Sequence, residues 1–328
     1  MYVVTGGAGF IGSNILAALE ERGLRDLVVV DRLRDGVKWR NISKRELSDI
    51  VAPEHIFDFL ELHKKKLKAI IHMGAISATT ERDADKIVTN NFNLTVALYR
   101  WCAINEVRFI YASSAATYGD GTAGFDDSPT CEALSLLRPL NAYGWSKHLF
   151  DRRLLRQIAD GRKTPPQWVG LKFFNVYGPN EYHKGAQSSV VSQVYPRAAQ
   201  NAHFDLFRSH HPDYADGGQL RDFIWVGDVV NVIMWMLDTP SVSGLFNLGT
   251  GKARTFLDLA SAVYHALGKT PNIRFVDTPV SIRDKYQYFT EARMDRLRQA
   301  GYTGAFTSLE DGVQQYVQGF LAQPDPYK

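Results

Sequence analysis

Val3-Val4-Thr5-Gly6-Gly7-Ala8-Gly9-Phe10-Ile11-Gly12 opens the chain with an apolar run, a glycine-rich turn and the start of an amphipathic segment. Gly7, Gly9 and Gly12 satisfy G-x-G-x-x-G, and Gly6 with Gly9 adds the wider G-x-x-G spacing. Glycines here let backbone approach a pyrophosphate, and the free N–H groups of a helix start favour an anion. Context strengthens a motif that is weak alone. A predicted strand, 2–4, precedes it, a predicted helix, 10–21, begins within it, and Asp31 follows the next predicted strand, 27–30, nineteen positions after Gly12. An acid at that point meets the ribose of an adenosine. Asp31 alone favours a free 2′-hydroxyl and hence NAD, whereas Arg32 and Lys38 bring the cations that a 2′-phosphate requires, so the reading is NADP with NAD as the alternative.

Outward from this loop, strand-like runs at 69–72, 108–112 and 169–173 alternate with helical patterns near 53–65, 85–104 and 142–158. Repeated βαβ units with near-continuous apolar strands predict an α/β fold, a doubly wound Rossmann-like parallel sheet with its ligand at the carboxyl ends of the strands. The rhythm loosens after about residue 175, where helices are expected near 188–200, 229–237, 256–266 and 308–321. The division is therefore a dinucleotide-binding domain over 1–174 and a smaller, mainly substrate-binding lobe over 175–328, with some segments returning to the first domain. Residues 208–218, rich in turn formers and without periodicity, read as an exposed loop; its histidines and aspartates lack the spacing of a metal site.

At 328 residues and 45% apolar composition, the chain can bury a large core. The net charge of +3 suits an anionic small substrate better than nucleic acid. No apolar run reaches the roughly 18 residues that span a bilayer, so no membrane partner is expected and the cytoplasm is the expected location. Two cysteines, Cys102 and Cys131, read as structural thiols.

The chemistry resides in Tyr143-Gly144-Trp145-Ser146-Lys147. Residues four apart share a helix face, which sets the Lys147 ammonium beside the Tyr143 phenol. A phenol of pKa about 10 needs a downward shift of roughly 3 units, about 4 kcal/mol, to act near neutrality. Lys147 and an oxidised nicotinamide are the expected sources of that shift. Ser114, after a strand end, can hydrogen-bond a reacting hydroxyl, completing a proton-transfer trio of Ser114, Tyr143 and Lys147.

These segments together resemble the extended short-chain dehydrogenase/reductases, the group of sugar-nucleotide epimerases, dehydratases and reductases. Within it, Asn175-Val176-Tyr177-Gly178-Pro179, His183-Lys184-Gly185, Arg221–Asp228 and Phe246–Gly251 resemble the ADP-glycero-manno-heptose 6-epimerases. The resemblance implies Lys184 as a second acid/base beside Tyr143, against the plainer reading of a phosphate-binding or exposed lysine. It implies cofactor contacts at Gly6, Gly9, Phe10, Ile11, Gly12, Asp31, Arg32, Lys38, Met73, Gly74, Ala75, Ile76, Ser77, Asn90, Lys147, Val176 and Lys184. Implied substrate contacts are Ser114, Asn175, Ala186, Gln193, Phe207, Arg208, Ser209, His210, Arg221 and Tyr286. A nucleotide-sugar substrate, a homo-oligomer with a pentamer suggested by the resemblance, and a product used in lipopolysaccharide inner-core assembly are also implied. Ala115-Ala116-Thr117 stands where sugar-nucleotide dehydratases carry an Asp-Glu pair, which argues against dehydration. The readings kept beside this one are another nucleotide-sugar epimerase, such as a 4-epimerase, and a non-catalytic dinucleotide-binding sensor.

Overall fold

The structure is a computed structural model, and it describes residues 1–283 and 287–328. Its strands, in chain order, are β1 (Tyr2–Thr5), β2 (Leu27–Val30), β3 (Asp49–Val51), β4 (Ala69–His72), β5 (Arg108–Ser114) and β6 (Trp168–Phe173). They continue with β7 (Asn175–Tyr177), β8 (Phe204–Phe207), β9 (Leu220–Trp225), β10 (Gly244–Leu248), β11 (Ala253–Thr255) and β12 (Ile273–Val276). The longer helices are α1 (Phe10–Glu21), α2 (Ile56–His63), α3 (Leu94–Asn105), α4 (Ala142–Ala159), α5 (Val190–Ala199), α6 (Val226–Asp238), α7 (Phe256–Ala266) and α8 (Leu309–Tyr316).

Seven strands form one parallel sheet in the order β10-β6-β5-β4-β1-β2-β3. Strands β2 and β4 are buried along their whole length, because helices cover both faces; every side chain of β2 and the first three of β4 enter one core or the other. The strand order reverses between β1 and β4, where Thr5 lies level with His72. A crevice outside the carboxyl ends at such a switch point is where this architecture binds ligands. The doubly wound α/β expectation therefore matches the observed sheet.

Two smaller sheets lie beyond it: β11-β9-β7, and the parallel pair β12-β8. They pack with α5, α7 and α8 around a separate apolar cluster containing Val191, Phe223, Leu259 and Val313. Strand β10, from this later part of the chain, pairs with β6 and extends the large sheet. The short edge strand β3 and β10 were not among the strands expected from periodicity. The helical pattern expected over 85–104 is interrupted by a π turn at Val88–Asn93. Among the described residues, no helix is long and apolar enough to cross a membrane.

Candidate active site

The glycine loop is shaped by close approach. Gly6 has φ +64°, and a Cβ there would fall 2.6 Å from the Gly74 nitrogen. At Gly12 a Cβ would fall 2.2 Å from the Gly6 carbonyl oxygen, so a side chain at either point would push the turn away from its neighbours. No side chain caps α1 at Gly9, which leaves the N–H groups of its first turn for a ligand. This uncapped, side-chain-free cradle fits the pyrophosphate of a dinucleotide. Loop 73–77 closes the other side: Met73 donates its N–H to the Thr5 carbonyl at 3.0 Å, and Gly74 donates to Thr5 Oγ1 at 3.2 Å. Ala75 and Ser77 are exposed on this loop.

Asp31 accepts from the Ala8 N–H at 3.0 Å and pairs with the Lys38 ammonium at 2.5 Å. Arg32 is engaged by Glu54 and donates to Asn90 Oδ1 at 3.2 Å. Both cations that the sequence reading assigns to a 2′-phosphate thus stand just beyond the end of β2, each already held by an acid.

The trio is assembled by one contact. Asn141 caps α4, its Oδ1 accepting the Gly144 N–H at 2.8 Å, and a Cβ on Gly144 would lie 2.5 Å from the Ala116 carbonyl oxygen. The first turn of α4 therefore lies directly on the turn that leaves β5, and Tyr143 meets Ser114 at that strand's end. Burial pushes the Tyr143 phenol up, and its hydrogen bond with Ser114 pulls it back. The expected lowering by Lys147 is not among the influences on that phenol. Lys147 is 3% exposed, and burial lowers its ammonium to about 8 against the opposing pull of Asp151, one turn further along α4. Among the described residues that ammonium makes no hydrogen bond, a buried donor suited to the hydroxyls of a nicotinamide ribose.

Beneath the trio lies a polar layer that periodicity did not single out. Asp151, with no exposed surface, accepts from Tyr111 (2.9 Å), Ser113 (2.7 Å) and the equally buried Lys172 (2.9 Å). Lys172 also donates to Thr117 Oγ1 at 2.7 Å. His72 sits between Thr5 Oγ1 (2.6 Å) and Thr95 Oγ1 (2.9 Å), and burial, then Lys147, hold it neutral down to about 3. Asn91 bonds both backbone groups of Ile76 and donates to Ser146 Oγ at 3.1 Å, linking loop 73–77 to α4. Asn90, the residue expected at the cofactor, bonds Arg32 and the Lys86 carbonyl.

Lys184 approaches from the other part of the chain. Its ammonium lies 5.2 Å from the centre of the Phe10 ring, above the first turn of α1, and burial lowers it while Glu181 opposes. Asn41 fastens this loop to the cradle by bonding both the Ala8 carbonyl (2.9 Å) and His183 Nδ1 (3.1 Å). Val176, on β7, packs against the main core.

The implied substrate positions are more scattered. Asn175 is exposed at the start of β7. Gln193 bonds the Ala186 carbonyl at 3.4 Å and the Ser188 carbonyl at 2.8 Å, bringing those two positions together. Arg208 follows β8, whose last residue is Phe207, and pairs with Asp277 at 3.4 Å and Asp216 at 3.9 Å. Ser209 bonds Asp216 and His211, and His210 donates its N–H to the Tyr288 hydroxyl at 3.0 Å. Arg221 donates to the Leu220 carbonyl and to the Gln287 carbonyl, with its guanidinium 5.5 Å from the Phe256 ring centre. Tyr286 lies outside the described residues.

The sequence model of the NAD dependent epimerase/dehydratase family matches residues 2–249. The ADP-L-glycero-D-manno-heptose-6-epimerase of Nitratidesulfovibrio vulgaris (strain DP4) is 51% identical over 330 residues, covering 100% of this chain and 100% of that protein. Among solved structures, the ADP-L-glycero-D-manno-heptose-6-epimerase of Helicobacter pylori superposes with a TM-score of 0.79 at 26% identity, over 97% of this chain and 95% of that one. MoeE5, solved in complex with UDP-glucuronic acid and NAD, gives a TM-score of 0.72 at 26% identity, over 95% and 96%.

Proposed function

Because the chain belongs to the NAD dependent epimerase/dehydratase family, we propose that it interconverts ADP-D-glycero-β-D-manno-heptose and ADP-L-glycero-β-D-manno-heptose. The single observation that carries the chemistry is the seating of Tyr143 beside Ser114, with the buried Lys147 ammonium one turn behind. Carbon 6 of the heptose has no acidifying carbonyl beside it, so simple proton abstraction cannot invert it. The redox chemistry that a nicotinamide supplies when bound is removal of hydride from carbon 6 and its return to the opposite face.

The chain's own groups move the proton. As the carbon–hydrogen bond breaks, the O6 proton passes to Tyr143, and Ser114 donates a hydrogen bond to the oxygen that becomes the carbonyl. Lys147 stabilises the phenolate and holds the ribose. After the ketone turns in the site, a proton is delivered to O6 as hydride returns; Lys184 serves one orientation and Tyr143 the other, and proton exchange with solvent restores both groups for the next turnover. The exocyclic position of carbon 6 means that this turn displaces the oxygen, which is why two proton-transfer groups are needed. For the cofactor we favour NADP over NAD, on the presence of Lys38 and Arg32 at the adenosine end.

The test is to incubate the purified protein, with no cofactor added, with ADP-D-glycero-β-D-manno-heptose and follow carbon 6 by NMR. A mixture of both epimers is expected, and mass spectrometry of the denatured protein should release NADP. Absence of conversion after NADP and NAD are supplied in turn would overturn the heptose assignment. Lys184→Ala separates a 6-epimerase from a 4-epimerase reading: unchanged turnover at carbon 6 would contradict the two-group mechanism.

A further inference from the structure

Residues Asp325–Lys328 contact three separate pieces of the dinucleotide end. Toward the Lys184 loop, Tyr182 donates its hydroxyl to the Pro326 carbonyl at 2.8 Å, and the Tyr327 ring stands edge-on to Tyr182 with centroids 5.2 Å apart. Lys328 donates its backbone N–H to Asn180 Oδ1 at 3.0 Å. Asn180 has no exposed surface and itself reaches Ser13 Oγ on α1 (3.0 Å) and the Asn41 carbonyl (3.4 Å). Toward the turn that follows Asp31, Lys44 pairs with Asp325 at 2.9 Å and donates to the Tyr327 carbonyl, while the Arg40 guanidinium lies 6.0 Å from the Tyr327 ring centre. Toward α1, the Lys328 ammonium lies 3.8 Å from Glu21.

Loop 180–185 needs such support. Asn180 has φ 73° and Gly185 φ 55°, so the segment bearing Lys184 is bounded by two left-handed residues, one of them not a glycine. Besides Asn180, it is tied by Glu181 to Ser189, Tyr182 to Tyr316, His183 to Asn41 and Lys184 to Phe10. Loss of Lys328 would leave Asn180 Oδ1 without its donor in a place water does not reach.

We propose that Asp325–Lys328 is a positioning strap that holds loop 180–185, and Lys184 with it, against the glycine cradle, so that dinucleotide affinity depends on it. The proposal rests on the functional reading above, because the cradle's ligand is the dinucleotide. None of these four residues touches the reacting atoms. They act through Asn180, Tyr182 and Lys44.

The experiment compares the full chain with a variant ending at Pro324 and with Tyr327→Ala. Hydrogen exchange of residues 180–188 and of the large sheet, the dissociation constants of NADP and NAD for dinucleotide-stripped protein, and epimerisation are measured on each. The strap predicts that the shortened variant loses protection in 180–188 while β4 and β5 keep theirs. Dinucleotide affinity should fall about tenfold, with Tyr327→Ala intermediate and Tyr327→Phe close to the full chain. Unchanged protection and affinity would overturn it, as would a loss of protection spread evenly over the sheet, which would mark the segment as a general stabiliser. Failure of the full chain to epimerise would reject the heptose reading while leaving the exchange and affinity comparison intact.

Discussion

The floor of the site and its rim handle polar groups in opposite ways. Under Tyr143 and Lys147, the charges and amides of Asp151, Lys172, His72 and Asn91 are at most 1% exposed, and each is bonded to groups on other elements. At the rim, the side chains of Arg208, Asp216 and Asp277 are 53%, 43% and 69% exposed, and Ser209 and His211 bond one another within the same loop. A buried polar network must be fully satisfied, so it admits one geometry; a solvated loop can exchange partners with water at little cost. On the proposed function, the floor holds the proton-transfer groups in place, and the rim adjusts as the sugar nucleotide enters.

The largest expected effect tests the floor's purpose. Tyr143→Phe removes the hydroxyl that exchanges the O6 proton while keeping the ring, and epimerisation should drop by about 10²–10⁴, the usual worth of a positioned acid/base. Dinucleotide binding, read by fluorescence titration, should persist. Rapid turnover by this variant would remove Tyr143 from the mechanism, and a pure sensor would show no turnover in either protein.

Next comes the buried pair itself. Asp151→Asn leaves the Lys172 charge uncompensated where neither residue has exposed surface, which should cost about 3–5 kcal/mol of folding free energy. Replacing both, Asp151→Leu with Lys172→Met, should recover most of that loss, since two apolar side chains leave no charge to compensate. Urea unfolding measures both. If the double variant were as unstable as the single one, the hydroxyls of Tyr111, Ser113 and Thr117, rather than the charge pair, would govern the floor.

This contrast explains what the sequence made legible. The glycine loop, Ser114 and the Tyr143–Lys147 pair are local patterns, with every residue fixed by its spacing to the next. Asp151 and Lys172 lie 21 positions apart and meet only because α4 packs on β5 and β6, a contact that no periodicity announces. Asn91 shows a subtler loss. A continuous helix over 85–104 would carry one phase throughout, but the π turn at Val88–Asn93 inserts extra backbone and rotates the face, so Asn91 reaches Ile76 while Asn90 turns to Arg32. Strand β3 has three residues, two of them exposed, too short for alternation to register.

Protonation probes the floor from both ends of the pH range. The folded His72 stays neutral down to about 3, whereas an unfolded histidine takes up a proton below about 6.5. The unfolded chain therefore binds the extra proton between those values, and stability falls as pH drops, by about 1.4 kcal/mol per unit for this group. His72→Gln should flatten the slope of unfolding free energy between pH 6.5 and 5 by about one proton; an unaltered slope would mean that His72 is not held neutral. Lys147 acts at the other end. With its ammonium lowered to about 8, the activity of the full chain should decline above that pH as the group that stabilises the phenolate loses its charge. A profile flat to pH 9.5 would remove that role.

The smallest effect is expected at the rim. Arg208→Ala breaks contacts of 3.4 and 3.9 Å between side chains that are about half exposed or more, and exposed pairs of this kind contribute only about 0–1 kcal/mol. Its unfolding midpoint should hardly move. If Arg208 meets the substrate's phosphates, KM should rise several-fold with kcat preserved, because a contact made equally to ground and transition states changes binding alone. A fall in kcat at constant KM would place Arg208 with the floor, among the groups that act on the reacting centre, and would erase the division of labour between the two regions.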